Sequence, residues 1–346
     1  MLASSLPSAL PASRVPDPRD APPLRWGILA PGRIARSFAE ALLAQTRQRL
    51  VACGSRSAEH ADAFAREFGL ERAYGSYEAL LADPDVDAVY VASPHSHHAE
   101  HALAAIAAGK PVLVEKSFTR DAAEARRVVD AARAAGVPLM EAMWTRFLPH
   151  IDVARQLLED GALGELETVI ADHGQCFDFD PAGRLFDPAL AGGAMLDLGV
   201  YPLSFAFFAL GTPGRLTARG TLAPTGVDRQ LSAVLEGFAD HPDAHALVTT
   251  TLAARTATTA VVSGDRARIE IPGPFYTPQS LALIGRDGSR LDAPAPAIPQ
   301  HGLCHEAAHF AQLVADGRLE SPLLPLDETI AIMAAMDDAR AQVGAR

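Results

Sequence analysis

Four histidines fall within SPHSHHAEH, Ser93 to His101. His97, Glu100 and His101 spell H-x-x-E-H, and far downstream His305, Glu306 and His309 spell H-E-x-x-H. Two classes of zinc peptidase use these patterns to hold a metal and a general base. Catalytic zinc needs a third protein ligand and an open coordination position. The first pattern lies at a strand–helix junction rather than within a helix. The second lies on an expected helix, with Glu328 as the candidate third ligand. There Leu303, Ala307, Phe310 and Val314 form the apolar stripe, which puts His305 and His309 on nearly the opposite face at about 100° per residue. Zinc peptidase chemistry through His305, Glu306 and His309 is therefore a remote alternative, and no metal is expected.

A lysine stands out more. Of 30 basic residues only Lys110 and Lys116 are lysine. In a chain that otherwise uses arginine, a retained lysine suggests a need for a compact ammonium with a tunable pKa. Lys110 precedes a proline at a helix end, where a cation complements the macrodipole. Lys116 closes the strand-like run VLVEK, at the carboxyl edge where open α/β sheets bind ligands.

A third candidate is the run GILAPGRIA, Gly27 to Ala35, which leads from a strand into a helix. A dinucleotide loop needs a tight turn, close approach of backbone to pyrophosphate, and a small residue for helix–strand packing. Gly32 and Ala35 fill the second and third roles, while Ala30 takes the first, where glycine is usual. With Arg33 and Ile34, the helix start offers backbone donors and a favourable dipole to phosphate. The second strand ends in CGSRS. Where NAD enzymes carry an acidic residue for the ribose, this chain has Ser55 and Arg56, which suit a 2′-phosphate. NADP(H) is the expected cofactor, with NAD the alternative.

The elements that position these residues follow from the pattern. From Arg25 to about Pro149, apolar strand-like runs (RWGILA, LVACGS, DAVYVAS, PVLVEK, VPLME) alternate with Ala-rich helical stretches. That pattern implies a doubly wound parallel sheet with helices on both faces. After about residue 165 come period-two, β-branched segments, read as one large, mostly antiparallel sheet. Two helices follow, near 302–316 and 326–342. The expected domains are a disordered lead at 1–24, rich in Pro, Ala and Ser, a nucleotide-binding domain at 25–149, and an α+β domain at 150–346.

The net charge is -12 with no basic patch, so nucleic acid is not an expected partner. No apolar run approaches the length needed to span a bilayer. Cys53, Cys176 and Cys304 are few, odd in number and scattered, which fits a reduced, cytoplasmic protein.

The run ASPHSHHAEHALAAIAAGKPVLVEKS, taken with the glycine loop, resembles the Gfo/Idh/MocA oxidoreductases. MEAMWTRFLP (140–149) and RLFDPALAGGAMLDLGVYP (184–202) resemble the branch of dimeric dihydrodiol and NADP-dependent D-xylose dehydrogenases. The likeness covers residues 25 to about 342. It implies a Rossmann domain paired with an open-faced α/β domain. It also implies hydride transfer between NADP(H) and a secondary alcohol or carbonyl of a sugar, polyol or cyclic diol, by a homodimer formed through the second sheet.

The family's E-K-P becomes Glu115-Lys116-Ser117 here, and by resemblance Lys116 binds the reacting oxygen. Behind Gly192-Gly193, the family's D-x-x-x-H or D-x-x-x-Y reads Asp197 to Tyr201. On an α-helix these share a face, with Tyr201 as acid/base and Asp197 orienting it. A free tyrosine titrates near about 10, and a neighbouring ammonium lowers that value. The resemblance also implies Trp144 and Arg146 lining the nicotinamide–substrate cleft and Arg184 reaching substrate. It places Ser93, Pro94, His95 and Glu115 at the cofactor, and His98 orienting the loop. His97 and His101 are expected to face solvent. The same fold hosts NAD-dependent glycosidases and non-catalytic dinucleotide-binding regulators, which stand as the alternatives.

Overall fold

The computed structural model describes residues 6–298 and 302–345. The chain divides into two compact units. One comprises Pro16–Phe147 with Pro299–Met333; the other comprises Met1–Val15, Leu148–Ile298 and Ala334–Arg346.

The first unit alternates strand and helix, as its hydrophobic pattern requires. Strands β1 (Arg25–Leu29), β2 (Arg49–Gly54), β3 (Arg72–Tyr74), β4 (Ala88–Val91), β5 (Val112–Glu115) and β6 (Leu139–Ala142) form a sheet in the order β3-β2-β1-β4-β5-β6. Every pairing is parallel. Helices α1 (Arg33–Gln45), α2 (Ala58–Phe68), α3 (Tyr77–Leu81), α4 (His95–Ala107) and α5 (Ala122–Ala135) connect them. The order is that of the doubly wound dinucleotide fold, whose ligand edge is the carboxyl end of the strands. Strand β3 was not anticipated; three residues are too few to display a period.

In the second unit, α6 (Pro149–Glu159) leads into β7 (Leu166–Gly174). Helix α7 (Val200–Leu210) follows, then β8 (Arg215–Leu222), β9 (Asp228–Glu236), β10 (His245–Thr251), β11 (Ala260–Gly264), β12 (Ala267–Ile271), β13 (Leu281–Gly285) and β14 (Arg290–Ala293). The sheet order is β14-β13-β12-β11-β7-β10-β9-β8. Only β7 and β10 pair in parallel. Helix α7 is buried on nearly all sides and packs on β7 and β10. Contrary to the sequence reading, one stretch, Pro188–Leu210, is long and apolar enough by composition to cross a bilayer. Its apolar window is 94% buried in the fold, so it serves as core.

Helices α8 (Leu303–Ala315) and α9 (Leu326–Gln342) close the chain. The domain boundaries need correcting here, because α8 packs on α1 of the first unit. The reason is aromatic. Phe310 of α8 lies 5.6 Å from Trp26 of β1, Trp26 meets Phe38 edge-on at 5.5 Å, and Phe38 stacks on Tyr90 at 3.9 Å. Burying rings of this size outweighs proximity in sequence.

The expected disordered lead also needs correcting. Within residues 6–15, Arg14 places Nη2 2.8 Å and its backbone nitrogen 2.6 Å from the Asp152 carboxylate, and Gln156 donates to the Ala12 carbonyl at 2.9 Å. In the first unit Asp17 caps a short 3₁₀ turn at Pro18–Asp20, and Leu24 donates to the Gln48 side chain. Side chains supply the partners that a Pro-rich backbone cannot find in itself.

Candidate active site

The cofactor edge of the first unit is built on backbone. Ala30 adopts a left-handed conformation at φ 67°, accepting from Gly32 N–H while donating to the Gly54 carbonyl. A glycine would hold that turn without a Cβ penalty. Gly32 caps α1. A Cβ built on it would meet nothing closer than the Ala30 carbonyl oxygen at 4.0 Å, so the space in front of the turn is open. Amides at Arg33, Ile34 and Ala35 begin the helix without intrahelical acceptors, the arrangement that binds a pyrophosphate.

Beside this turn is a cavity of about 400 Å³ lined by Arg56, Ser76, Tyr77, Ser93, His97 and His101, among others. Arg56 hydrogen-bonds Tyr77, and Ser55 caps the same turn by accepting from Ser57 N–H. A guanidinium in an open pocket at the end of β2 fits a 2′-phosphorylated ribose. His97 and His101 were expected to face solvent; both line this cavity, His97 half-exposed and His101 buried. His101 is 9% exposed, bonds the Ser93 hydroxyl through Nδ1 at 2.9 Å, and is pushed down to about 4, mainly by burial. The rings of His97 and His101 stack at 5.7 Å. Pro94 caps α4, and His95 begins that helix as a buried residue with its ring 5.6 Å from that of His98.

Lys116 follows β5 and is half-buried. The turn after it is held from three sides. Glu115 accepts from Lys116 N–H at 3.1 Å and from the Tyr90 hydroxyl. His98, fully buried, places Nδ1 2.9 Å from the Ser117 carbonyl and Nε2 2.6 Å from that of Ser93. Burial pushes His98 down to about 4, so the ring is neutral and its one N–H serves one of the two carbonyls. Glu141 of β6 accepts from Phe118 N–H at 3.2 Å and from the Thr329 hydroxyl at 3.1 Å. Glu115 was read as a cofactor ligand. Its carboxyl is buried and held by Tyr90 and the Lys116 amide, which makes it a support for the turn.

Trp144 and Arg146 lie in a buried 3₁₀ segment, Trp144–Phe147. Arg146 was read as lining the cleft. It is 3% exposed, with Nη2 2.5 Å from the Glu328 carboxylate. That ion pair holds the 3₁₀ segment to α9 and also occupies the residue proposed as a third zinc ligand. His305 and Glu306 are buried, and His309 bonds the Ser321 hydroxyl at 2.8 Å. The face opposite the apolar stripe is thus packed, because the fold covers α8 there as well. Among the described residues no group of three or more His, Cys, Asp or Glu side chains is arranged to hold a metal ion.

The second unit carries the other candidates. Met195–Gly199 form a π-helical turn that runs into α7, so Asp197 sits in a widened turn rather than on the plain α-helix its spacing suggested. The glycine pair before it has a physical cause. Gly193 has φ 119°, and a Cβ there would stand 2.2 Å from Asp228 Oδ1. Its absence admits Asp228, fully buried, to accept from Met195 N–H at 2.6 Å. Burial pushes Asp228 up to about 6, against the pull of the Met195 amide and Arg340.

Arg184 donates through Nη1 to Asp197 Oδ1 at 2.8 Å, so its guanidinium meets the carboxylate rather than standing alone for substrate. The buried Tyr201 ring stacks on Tyr276 at 4.4 Å and lies 5.4 Å from His173. His173 donates through Nδ1 to the Leu198 carbonyl and accepts at Nε2 from the Gln175 amide. Burial raises the Tyr276 phenol above its ordinary value. His173 and Tyr276 were not anticipated, since one lies in a period-two strand and the other in a loop.

The oxidoreductase family model Gfo/Idh/MocA, with its NAD-binding Rossmann fold, matches residues 24–143, and the Gfo/Idh/MocA C-terminal domain model matches residues 151–270. The chain is 35% identical to mouse trans-1,2-dihydrobenzene-1,2-diol dehydrogenase, over 93% of this chain and 97% of that one. It is 36% identical to the D-xylose 1-dehydrogenase (NADP+) of Hypocrea jecorina, over 93% and 92% respectively. Among solved structures, a 3-ketoreductase from Actinomadura kijaniata in complex with NADP and TDP-benzene is similar, with TM-score 0.78 and 29% identity over 93% of this chain and 98% of that one. An open phosphate turn on a parallel sheet in β3-β2-β1-β4-β5-β6 order, with both family domains matched in sequence, places the chain in the Gfo/Idh/MocA family of NAD(P)-dependent oxidoreductases.

Proposed function

We propose that the protein transfers hydride between NADP(H) and a secondary alcohol, or its carbonyl, on a sugar, polyol or cyclic dihydrodiol. The observation that carries this reading is the open Gly32 turn with the Arg56 cavity beside it, on the same sheet edge where Lys116 follows β5. The amides of Arg33 and Ile34 would hold the pyrophosphate, Ser55 and Arg56 the 2′-phosphate, and Ser93, Pro94 and His95 the nicotinamide end. The cofactor, when bound, supplies the carbon that takes or gives hydride.

The protein handles the oxygen and its proton. In the oxidative direction Tyr201 removes the hydroxyl proton while Lys116 donates to the oxygen and stabilises its developing charge. Asp197, steadied by Arg184, orients the acid/base group, and the stacked Tyr276 ring with His173 fixes the Tyr201 ring in place. The first unit is assigned to the cofactor and the second to substrate and dimerisation.

For dimerisation the support is a row of apolar side chains across one sheet face. Ile170 pairs in register with Val261 and Leu247, and Leu247 with Val234. Ile170 is 48% and Leu247 39% exposed, and an uncovered apolar face of this kind favours association.

A screen of sugars and diols, followed at the NADPH absorbance band, tests the substrate class. Release of oxidised product with stoichiometric NADPH excludes a glycosidase that merely borrows the cofactor. Lys116→Met is expected to abolish turnover and leave NADPH affinity intact; retained turnover refutes the role given to the lysine.

A further inference from the structure

We infer that Glu141, a residue outside the acid/base set, is a positioning residue for Lys116: it anchors the turn that aims the lysine and changes that turn's electrostatics when it changes protonation.

The geometry is a clamp. Three successive residues, Lys116, Ser117 and Phe118, each have a backbone group held from the protein interior. Glu115 takes Lys116 N–H, His98 meets the Ser117 carbonyl, and Glu141 takes Phe118 N–H. Phe118 and Ser117 are fully buried, so water is not available to replace a lost partner. Glu141 reaches the turn from the neighbouring strand, where it pairs in register with Val114. It is tied in turn to α9 through the Thr329 hydroxyl.

Electrostatics make the clamp responsive. Glu115, Glu141 and Glu306 are all buried; Glu115 raises the proton affinity of Glu141, and both raise that of Glu306. Glu306, the glutamate of the HEAAH pattern, has no hydrogen-bond partner on either oxygen among the described residues. A dry, unpartnered carboxyl is far more stable neutral, and burial with Glu115 and Glu141 beside it raises its pKa well above the ordinary range. Glu115 accepts from the Tyr90 hydroxyl and the Lys116 amide. Glu141 is the intermediate member. Burial pushes it up to about 7, with Glu115 adding to the rise, while Thr329, Arg146 and Phe118 N–H oppose it. Those groups, with Glu306, are what face it from β5, α8, α9, the turn and the 3₁₀ segment. When ionised it accepts from the Thr329 hydroxyl; when protonated it can donate to it, so the Phe118 anchor survives while the local charge changes.

The functional weight of this inference rests on the reading of Lys116 given above, so its test needs a signal independent of turnover. The composition provides one. With only two lysines in the chain, protein carrying ¹³Cε-lysine gives two side-chain resonances, and Lys110→Arg assigns them. The expected result is a Lys116 resonance whose position inflects near pH 7 in the wild type and loses that inflection in Glu141→Gln. Lys110, held by the Asp83 and Val86 carbonyls, should lack it in both. In kinetics, Glu141→Ala should lower kcat roughly 10- to 100-fold, the scale of a displaced catalytic group, with NADPH affinity preserved. Glu141→Gln, which keeps an acceptor for Phe118 N–H, should recover most of that loss.

An identical pH dependence of the Lys116 resonance in wild type and Glu141→Gln overturns the inference, as does equal turnover in wild type and Glu141→Ala. If Glu141→Ala does not fold, the resonance in Glu141→Gln still decides. Full turnover in Lys116→Met would instead defeat the catalytic role of the lysine, leaving the coupling between positions 141 and 116 to be read from the spectra.

Discussion

Glu141→Gln should make the first unit more stable at neutral and alkaline pH, by an amount that vanishes in acid. In the folded protein burial raises this carboxyl from an ordinary 4.5 to about 7. Between those values the folded state retains a proton that the unfolded chain has released. Stability from this group is therefore complete below about pH 4.5 and falls as pH rises, with the full loss reached above pH 7. A shift of about 2.5 units at about 1.4 kcal/mol per unit gives a loss of about 3 kcal/mol. Glutamine is neutral throughout and keeps a carbonyl oxygen for Phe118 N–H, so it removes the titration while preserving the anchor. Both tryptophans, Trp26 and Trp144, lie in the first unit, so fluorescence during urea unfolding reports that unit alone. The measurement is the unfolding free energy of wild type and variant at pH 4.5, 6 and 8. The difference should grow by about 3 kcal/mol across the series in favour of the variant. A difference that stays constant with pH would refute the reasoning, because it would mean that the buried carboxyl does not change its charge on unfolding.

Further outcomes follow from individual contacts. Arg56→Ala removes the only cation lining the cavity among the described residues, apart from imidazoles; NADP+ affinity should fall roughly 10- to 100-fold, the worth of one charged hydrogen bond, while NAD+ affinity holds in a titration with each cofactor. Gly193→Ala combines a left-handed backbone with a Cβ 2.2 Å from Asp228 Oδ1, so it should destabilise the second unit by more than about 3 kcal/mol, seen as an early transition in calorimetry. Ile170→Glu puts a charge in the exposed apolar row and should convert a dimer to monomer in sedimentation velocity; an unchanged mass would remove the sheet face as the interface.

Much of this molecule is legible from local pattern. Alternation of apolar runs with Ala-rich helical stretches specified the parallel sheet, because a period is a property of neighbouring residues and survives any tertiary arrangement. The phosphate turn was legible for the same reason: Gly32 and Ala35 serve a backbone path only a few residues long. The scarcity of lysine singles out position 116 from composition alone. Short or polar strands such as β3 and β14 carried no such signal.

What the sequence could not determine were the partnerships between distant residues. Arg146 looks like a cleft residue until Glu328, 182 positions away, takes its guanidinium. Glu141 is one apolar-strand residue among many until Phe118 and Thr329 close on it from 23 and 188 positions away. The HEAAH glutamate reads as a metalloprotease base on one helix and proves to be a buried acid only when β5 and β6 bring two more carboxyls beside it. Residues 6–24 look unable to order themselves, and they are ordered by partners such as Asp152 and Gln48 that lie elsewhere in the chain. Helical and strand periods are set by the backbone within a few residues. Burial, charge and hydrogen-bond pairing are set by whatever packing brings together, and that is why the chemistry around Lys116 became visible only in three dimensions.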